Sequence, residues 1–201
     1  MSESPFGPAV QKYWDRRYAL FKRFDDGIQI DKEGLYSVCP EDVAMQIAAR
    51  LTSQSVYDAF GGVGGNAIAF ALSGKQVTCS DTDQHRLNFA QHNATVYGVP
   101  DKITFVCGDY FELAPTVDAL AVFLDPPWGG PDYINEPAFR LEHFSPSGIK
   151  ILECAFLHFS EVVLRVPRTF AFEEFAQFGK VYTVEDNVSE GRIISRTVFF
   201  K

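Results

Sequence analysis

The chain has 201 residues and a mass of 22.5 kDa, with 46% hydrophobic, 22% charged and 14% aromatic residues. That length and composition fit one globular unit with a real core and exclude global disorder. A net charge of -8 and a pI near 5.0 exclude a broad basic face, so any nucleic-acid contact must be local. No apolar run approaches the roughly 20 residues of a membrane-spanning helix. The Met-Ser-Glu-Ser-Pro start lacks the basic and apolar segments of a signal peptide, so a soluble intracellular protein is expected. Cys39, Cys79, Cys107 and Cys154 form no CxxC pair and read as reduced core residues, with neither disulfide nor metal expected.

From the N-terminus, residues 9 to 24 space Val10, Tyr13, Trp14, Tyr18, Leu20, Phe21 and Phe24 in a roughly helical pattern. Lys12, Arg16, Arg17, Lys22 and Arg23 cluster in the same stretch. They suit a solvated helix face, or contact with a phosphate-bearing ligand. Pro40-Glu41 opens a second helix through about Leu51, proline being well suited to a first turn. Residues 1–52 are therefore read as a helical extension, and residues 53–201 as the core.

In the core, β-rich runs at Ser55–Phe60, Gln76–Asp81, Ile103–Asp109, Leu120–Asp125, Val162–Pro167, Val181–Glu185 and Ile193–Phe200 alternate with helical patterns at Asn66–Ser73, Gln84–Tyr97 and Ile149–Phe159. This alternation predicts an α/β fold with a doubly wound, mostly parallel seven-stranded sheet. The last two strands are joined by the turn-forming stretch from Asp186 to Gly191, too short for a helical crossover, so they should form an antiparallel hairpin.

Ligands of open parallel sheets lie beyond the carboxyl ends of the strands. The first strand carries Asp58 and runs into Gly61-Gly62-Val63-Gly64-Gly65-Asn66, the second stops at Asp81, the third at Asp109 and the fourth at Asp125. The glycine loop, with Gly62, Gly64 and Asn66, brings backbone amides close to a ligand. Asp81, 23 positions after Asp58, is placed to accept from ribose hydroxyls, although Asp81-Thr82-Asp83 also suits a helix cap. Both features fit a nicotinamide dinucleotide or S-adenosylmethionine. Charge separates them: Asp58 would repel a pyrophosphate but suits the α-ammonium of a methionine moiety. Asp109 can then accept from the adenine amino group with Tyr110 near the ring, or act as a turn residue. His85, His92, His143 and His158 have no paired carboxylate motif and read as surface or packing residues.

Asp125-Pro126-Pro127-Trp128 carries the strongest chemical signal. Two prolines stiffen the backbone, because each fixes φ near about −65° and restricts the residue before it. Asp125 and the carbonyls around Pro126 then act as fixed acceptors for an exocyclic amine, and Trp128 offers a flat face to a heterocycle.

These residues, with Lys12-Tyr13-Trp14, Arg17-Tyr18, Arg23-Phe24-Asp25-Asp26-Gly27-Ile28, Asp58-Ala59-Phe60 and Trp128-Gly129-Gly130-Pro131-Asp132-Tyr133, resemble the trimethylguanosine synthase family of class I methyltransferases. The likeness runs from about Lys12 to Arg168. It implies methyl transfer from S-adenosylmethionine to the exocyclic 2-amino nitrogen of a 7-methylguanosine RNA cap. The products would be 2,7-dimethylguanosine and, where a second transfer follows, 2,2,7-trimethylguanosine. It also implies a nuclear or cytoplasmic monomer with capped RNA as partner. By the same resemblance Trp128 stacks the base, Asp58, Asp81 and Pro40 belong to the cofactor site, and Tyr133 and Arg168 contact the cap phosphates, with Arg23 assisting. Three positions depart from the family: Asp125 stands where serine is frequent, Cys39 where threonine is usual and Gln29 where lysine is usual. Other readings of the same residues are an amino-methyltransferase on another base and a silent cap-binding module.

Overall fold

The computed structural model describes residues 3–130 and 136–201. The strands are β1 (Ser55–Asp58), β2 (Gln76–Asp81), β3 (Ile103–Cys107), β4 (Ala121–Leu124), β5 (Glu161–Pro167), β6 (Tyr182–Ser189) and β7 (Arg192–Phe200). They form one seven-stranded sheet in the order β3-β2-β1-β4-β5-β7-β6. The first five run parallel, and β7 lies antiparallel between β5 and β6. The helices are α1 (Gln11–Trp14), α2 (Arg17–Leu20), α3 (Gly34–Ser37), α4 (Glu41–Arg50), α5 (Gly65–Leu72), α6 (Gln84–Val96), α7 (Tyr110–Leu113) and α8 (Gly148–His158). Helices α5, α6 and α8 fill the crossovers after β1, β2 and β4, as the strand-helix alternation predicts.

Strand residues alternate between the two faces of the sheet, which divides the core in two. Val56, Ala121, Phe123, Val163 and Phe199 face a cluster shared with Ile47 of α4, Ile68 of α5 and Leu87 of α6. Tyr57, Val122, Leu124, Val162, Leu164 and Phe200 face the opposite cluster with Ile151 and Leu152 of α8. All residues of β4 are buried, as expected of a parallel strand covered on both sides. Val10, Leu20, Phe21, Phe24 and Ile28 of the extension join the first cluster. Among the described residues, no helix is long and apolar enough to cross a membrane and no His/Cys/Asp/Glu group could hold a metal ion.

Two local expectations change. The continuous helix predicted over residues 9 to 24 is broken into α1 and α2, flanked by 3-10 turns at Pro8–Val10 and Phe24–Asp26. At the break, Arg17 Nη1 donates to the Trp14 carbonyl at 3.0 Å, the acceptor that a continuing helix would offer to Tyr18. The Arg17 guanidinium also lies 4.8 Å from the Trp14 ring centroid and 4.3 Å from that of Tyr18. At the other end, the turn expected from Asp186 to Gly191 contracts to Glu190-Gly191, where both φ angles are positive (50° and 73°), as a tight hairpin requires. The strands continue this far because Asn187, 3% exposed, donates from Nδ2 to Ser195 Oγ and Thr197 Oγ1, each at 2.9 Å.

The glycine loop is held by close approach at one position and by backbone conformation at the next. A Cβ on Gly61 would sit 2.2 Å from Cys79 Sγ, whereas a Cβ on Gly62, at φ +51°, would meet nothing within 4 Å. Gly61→Ala is expected to destabilise the fold by about 1–3 kcal/mol through overpacking, and a Cys79→Ala background should remove at least half of that cost. Gly62→Ala should cost about 1–2 kcal/mol for its left-handed backbone in either background. Urea unfolding of the double-mutant cycle measures the coupling, and equal Gly61→Ala costs in both backgrounds would refute the contact.

Candidate active site

The winding direction reverses between β1 and β4, and the carboxyl ends of these two strands flank the resulting crevice. The phase of each strand decides which side chains share a face there. Asp58 lies two residues beyond Val56, Asp125 two beyond Phe123 and Arg165 two beyond Val163, and all three reference residues belong to the same core cluster. With β4 beside β1 and β5 beside β4, the sheet sets Asp125 level with Arg165, and Asp58 on the same face two residues lower, opposite Phe123.

Asp58 is fully buried, and neither of its oxygens makes a hydrogen bond of normal geometry. Burial, reinforced by the nearby Asp125 carboxylate, pushes its pKa up to about 8; the Ala67 amide opposes this and Asp81 adds to it. Asn66, 6% exposed, likewise has a buried Oδ1 without a hydrogen-bond partner. Two adjacent acceptors so placed fit a ligand that donates hydrogen bonds, and an ammonium satisfies both charge and geometry.

Asp81 supports the glycine loop from below. Its Oδ2 accepts from the Gly62 amide at 2.9 Å and its Oδ1 from the Asp83 amide at 2.9 Å. Its side chain remains half-buried. Gly64 adopts φ +90° at the N-cap of α5, and a Cβ there would meet Ala90 of α6 at 2.9 Å. Asp109 caps α7 by accepting from the Phe111 amide at 2.8 Å, which realises its turn-residue reading. Tyr110, expected near an adenine ring, is instead 3% exposed, donates its hydroxyl to the Ile151 carbonyl at 3.1 Å and packs on Tyr57 and Phe60. It is a core residue because its ring points under the sheet rather than into the crevice.

Pro40 is buried at the N-cap of α4, and the stretch before it lies against the glycine loop: a Cβ on Gly65 would sit 2.6 Å from Val38 Cγ2. Cys39 is fully buried, and burial pushes its thiol up to about 12, with Arg165 opposing and Asp125 and Asp58 adding. The extension therefore reaches the acidic crevice through residues 38–40. Asn93, a residue that sequence reasoning passed over, fastens it further: the side chain accepts from the Gln29 amide at 2.8 Å and donates to the carbonyls of Gln29 and Val63 at 2.9 and 3.0 Å. A polar residue on the apolar face of a helical pattern was the available signal.

The sequence predicts Asp125 as a fixed acceptor for an exocyclic amine. In the structure its Oδ2 instead receives Arg165 Nη1 at 2.5 Å. Burial holds the Asp125 carboxyl above its ordinary value, with the Arg165 guanidinium opposing part of that rise. Arg165 also lies over the Trp128 ring, with 4.7 Å from its guanidinium carbon to the centroid. Nothing local in a strand reading Val-Val-Leu-Arg-Val marks this arginine as a site residue. Pro126 is buried and Trp128 half-buried. Arg168 is exposed just past β5, its carbonyl accepting from Arg196 Nη1 at 2.7 Å. Arg23 pairs with Asp26 at 2.7 Å and lies 5.7 Å from the Tyr97 ring, so its contacts run to the end of α6 rather than to the Asp125–Trp128 segment. Tyr133 lies outside the described residues.

A family model described as RNA cap guanine-N2 methyltransferase matches residues 53–195. The trimethylguanosine synthase of Schizosaccharomyces pombe is 34% identical over 189 residues, which cover 89% of this chain and 79% of that protein. The Saccharomyces cerevisiae trimethylguanosine synthase is 33% identical over 170 residues, 78% of this chain and 54% of the relative, so the chain spans about half the length of that protein. Among solved structures, a protein of Porphyromonas gingivalis assigned as a methyltransferase superposes with a TM-score of 0.75 at 14% identity, covering 100% of this chain and 52% of the other. An RNA methyltransferase from Salinibacter ruber in complex with S-adenosyl-L-homocysteine gives 0.51 at 21% identity, covering 79% and 87%. These likenesses establish the methyltransferase fold.

The Asp58 geometry sets a pH signature. The folded protein holds this proton up to about pH 8, whereas the unfolded chain releases it near 3.8. Between those values the folded state binds more protons, so the ligand-free fold loses stability as pH rises through the window. Asp58→Asn is expected to raise the melting temperature most at pH 8 and least at pH 4. Scanning fluorimetry across that range measures the difference between variant and parent, and a difference independent of pH would refute the buried, unpartnered carboxylate.

Proposed function

The chain belongs to the RNA cap guanine-N2 methyltransferase family, and on that premise we propose that it methylates the exocyclic 2-amino group of 7-methylguanosine caps with S-adenosylmethionine as donor. The observation that carries this reading is the buried, unpartnered Asp58 beside the glycine loop, one strand away from Trp128 across the switch point. In the proposal, Asp58 receives the α-ammonium of the methionine moiety, while the open side of Gly62 admits the ligand to the loop amides. Asn66 adds an acceptor at the start of α5. Asp81 receives the ribose hydroxyls on the capacity left by its two backbone bonds. Residues 38–40 and the rest of the extension close the site from the side of α4. Arg168 and Tyr133 meet the cap phosphates, and Arg23 would join them only by leaving Asp26.

Bound S-adenosylmethionine supplies an electrophilic methyl group on a sulfonium, and the transfer leaves S-adenosylhomocysteine, a new N–C bond and one proton released from the amine. The chain supplies position. Trp128 holds the base flat, and the stiff Asp125-Pro126-Pro127 backbone turns carbonyl oxygens toward the amine, so that the nitrogen lone pair faces the methyl group. Seven-methylguanine is cationic, and an indole face favours it over guanine by about 0.5–2 kcal/mol. Asp125 is committed to its ion pair with Arg165, so the proton passes to solvent. A second transfer requires the pocket to admit the monomethylated amine turned about its C–N bond. The nuclear compartment is part of the same proposal.

Mass spectrometry of 7-methylguanosine diphosphate after incubation with S-adenosylmethionine should show a gain of one or two methyl groups, and kcat/KM for guanosine diphosphate should be about 2- to 30-fold lower than for 7-methylguanosine diphosphate. Trp128→Ala should lower kcat/KM by about 5- to 150-fold, the worth of one base stack, with cofactor affinity within about twofold. Equal or better methylation of the unmethylated nucleotide would overturn the cap reading. Cofactor binding at pH 7 should also release a proton, because the ammonium ionises Asp58. Calorimetry in buffers of different ionisation enthalpy should show that release in the parent and lose it in Asp58→Asn.

A further inference from the structure

The charged pair behind Trp128 belongs to this chain's own sequence: the carboxylate stands where the resembled family frequently has serine, and the arginine comes from a strand interior with no motif around it. Asp125 follows β4, and Arg165 is in β5, where the register aligns Leu124 with Leu164, so the two side chains emerge one residue further along neighbouring strands. They meet at 2.5 Å with only 7% and 11% of their side chains exposed. Water screens such a pair little, so each charge is felt nearby unless the other cancels it. The guanidinium carbon then lies over the indole 4.7 Å from its centroid, and a guanidinium can stack on an aromatic face where an ammonium acts as a point charge. Trp128 also packs against the second core cluster. The residues after it, Gly129 and Gly130, have φ of +85° and +74° and stand in open space, so the backbone on that side contributes no packing side chain.

Resting on the cap reading above, we infer that Arg165 is the positioning residue of the Trp128 platform and that Asp125, by cancelling its charge, preserves the platform's preference for a cationic base. Arg165 backs one face of the indole, and the purine is received on the opposite face. An uncancelled guanidinium there would repel 7-methylguanine through the ring and leave neutral guanine largely untouched. The pair thus divides two tasks, holding the ring and keeping its field neutral.

The opposite signs of the two single variants test this. In a Trp14→Phe background Trp128 is the sole tryptophan, so its fluorescence anisotropy reports ring mobility and its quenching reports nucleotide binding. Asp125→Asn should lower the affinity ratio of 7-methylguanosine diphosphate to guanosine diphosphate by about 5- to 10-fold. Arg165→Met should lower anisotropy and raise KM for both nucleotides more than it lowers kcat, without lowering the ratio. Arg165→Lys should keep the ratio near the parent's and still lose anisotropy. The neutral double variant Asp125→Asn/Arg165→Met removes any buried unpaired charge, and it should recover the parent ratio on a mobile ring. Unchanged anisotropy in Arg165→Met and the double variant would overturn the positioning role. Ratios that fall together in both single variants, or hold in Asp125→Asn, would overturn the charge role. Should the parent bind neither nucleotide, the cap reading fails, while the anisotropy series still decides whether Arg165 positions the ring.

Discussion

Three ionisable side chains meet at the carboxyl ends of three neighbouring strands, in a place too dry to solvate them. Asp125 and Arg165 resolve this constraint by pairing at 2.5 Å. Asp58 has no such partner and keeps its carboxyl raised to about 8 by burial and by Asp125. Leaving a carboxylate in that condition costs stability, and the cost makes sense where a cationic group of a ligand completes the site. The glycine loop, the cap of α5 and the stretch before Pro40 are arranged around that unfinished position.

The N-terminal extension is tied to the loop by specific polar bonds as well as by apolar packing. Asn93 joins Gln29 to Val63, and Arg86 pairs with Asp31 at 3.0 Å and with Glu33. Glu161 performs a similar service at the far end of the sheet, accepting from Thr52 and Ser53 where α4 hands over to β1. Burial raises the Glu161 carboxyl, but those bonds outweigh it and hold the group below its ordinary value. Helix α4 thereby stays in register with β1, and Pro40 at its start stays beside the glycine loop.

Much of this organisation is legible in the residue order. Strand boundaries follow from β-rich runs, and the identity of the strand-end residues follows because a parallel strand must release its chain into a loop on the ligand side. Asp58, Asp81, Asp109 and Asp125 were found in that way. Tyr110 lies in the core, because adjacency to Asp109 carries no information about which side of the sheet its ring takes. The helix expected over residues 9 to 24 failed for a related reason: periodicity marks the apolar face, but it does not show that Arg17 will bond the Trp14 carbonyl.

The sequence alone therefore determined the fold class, the glycine loop and the acidic strand ends, because each is written in spacing over a few residues. Tertiary structure alone decided how the charges pair. Asp125 and Arg165 are 40 positions apart and meet only because β5 lies beside β4 in a fixed register. Asp58 is left unpaired for the same reason, since the charged groups that act on it are the carboxylates Asp125 and Asp81 and not a base.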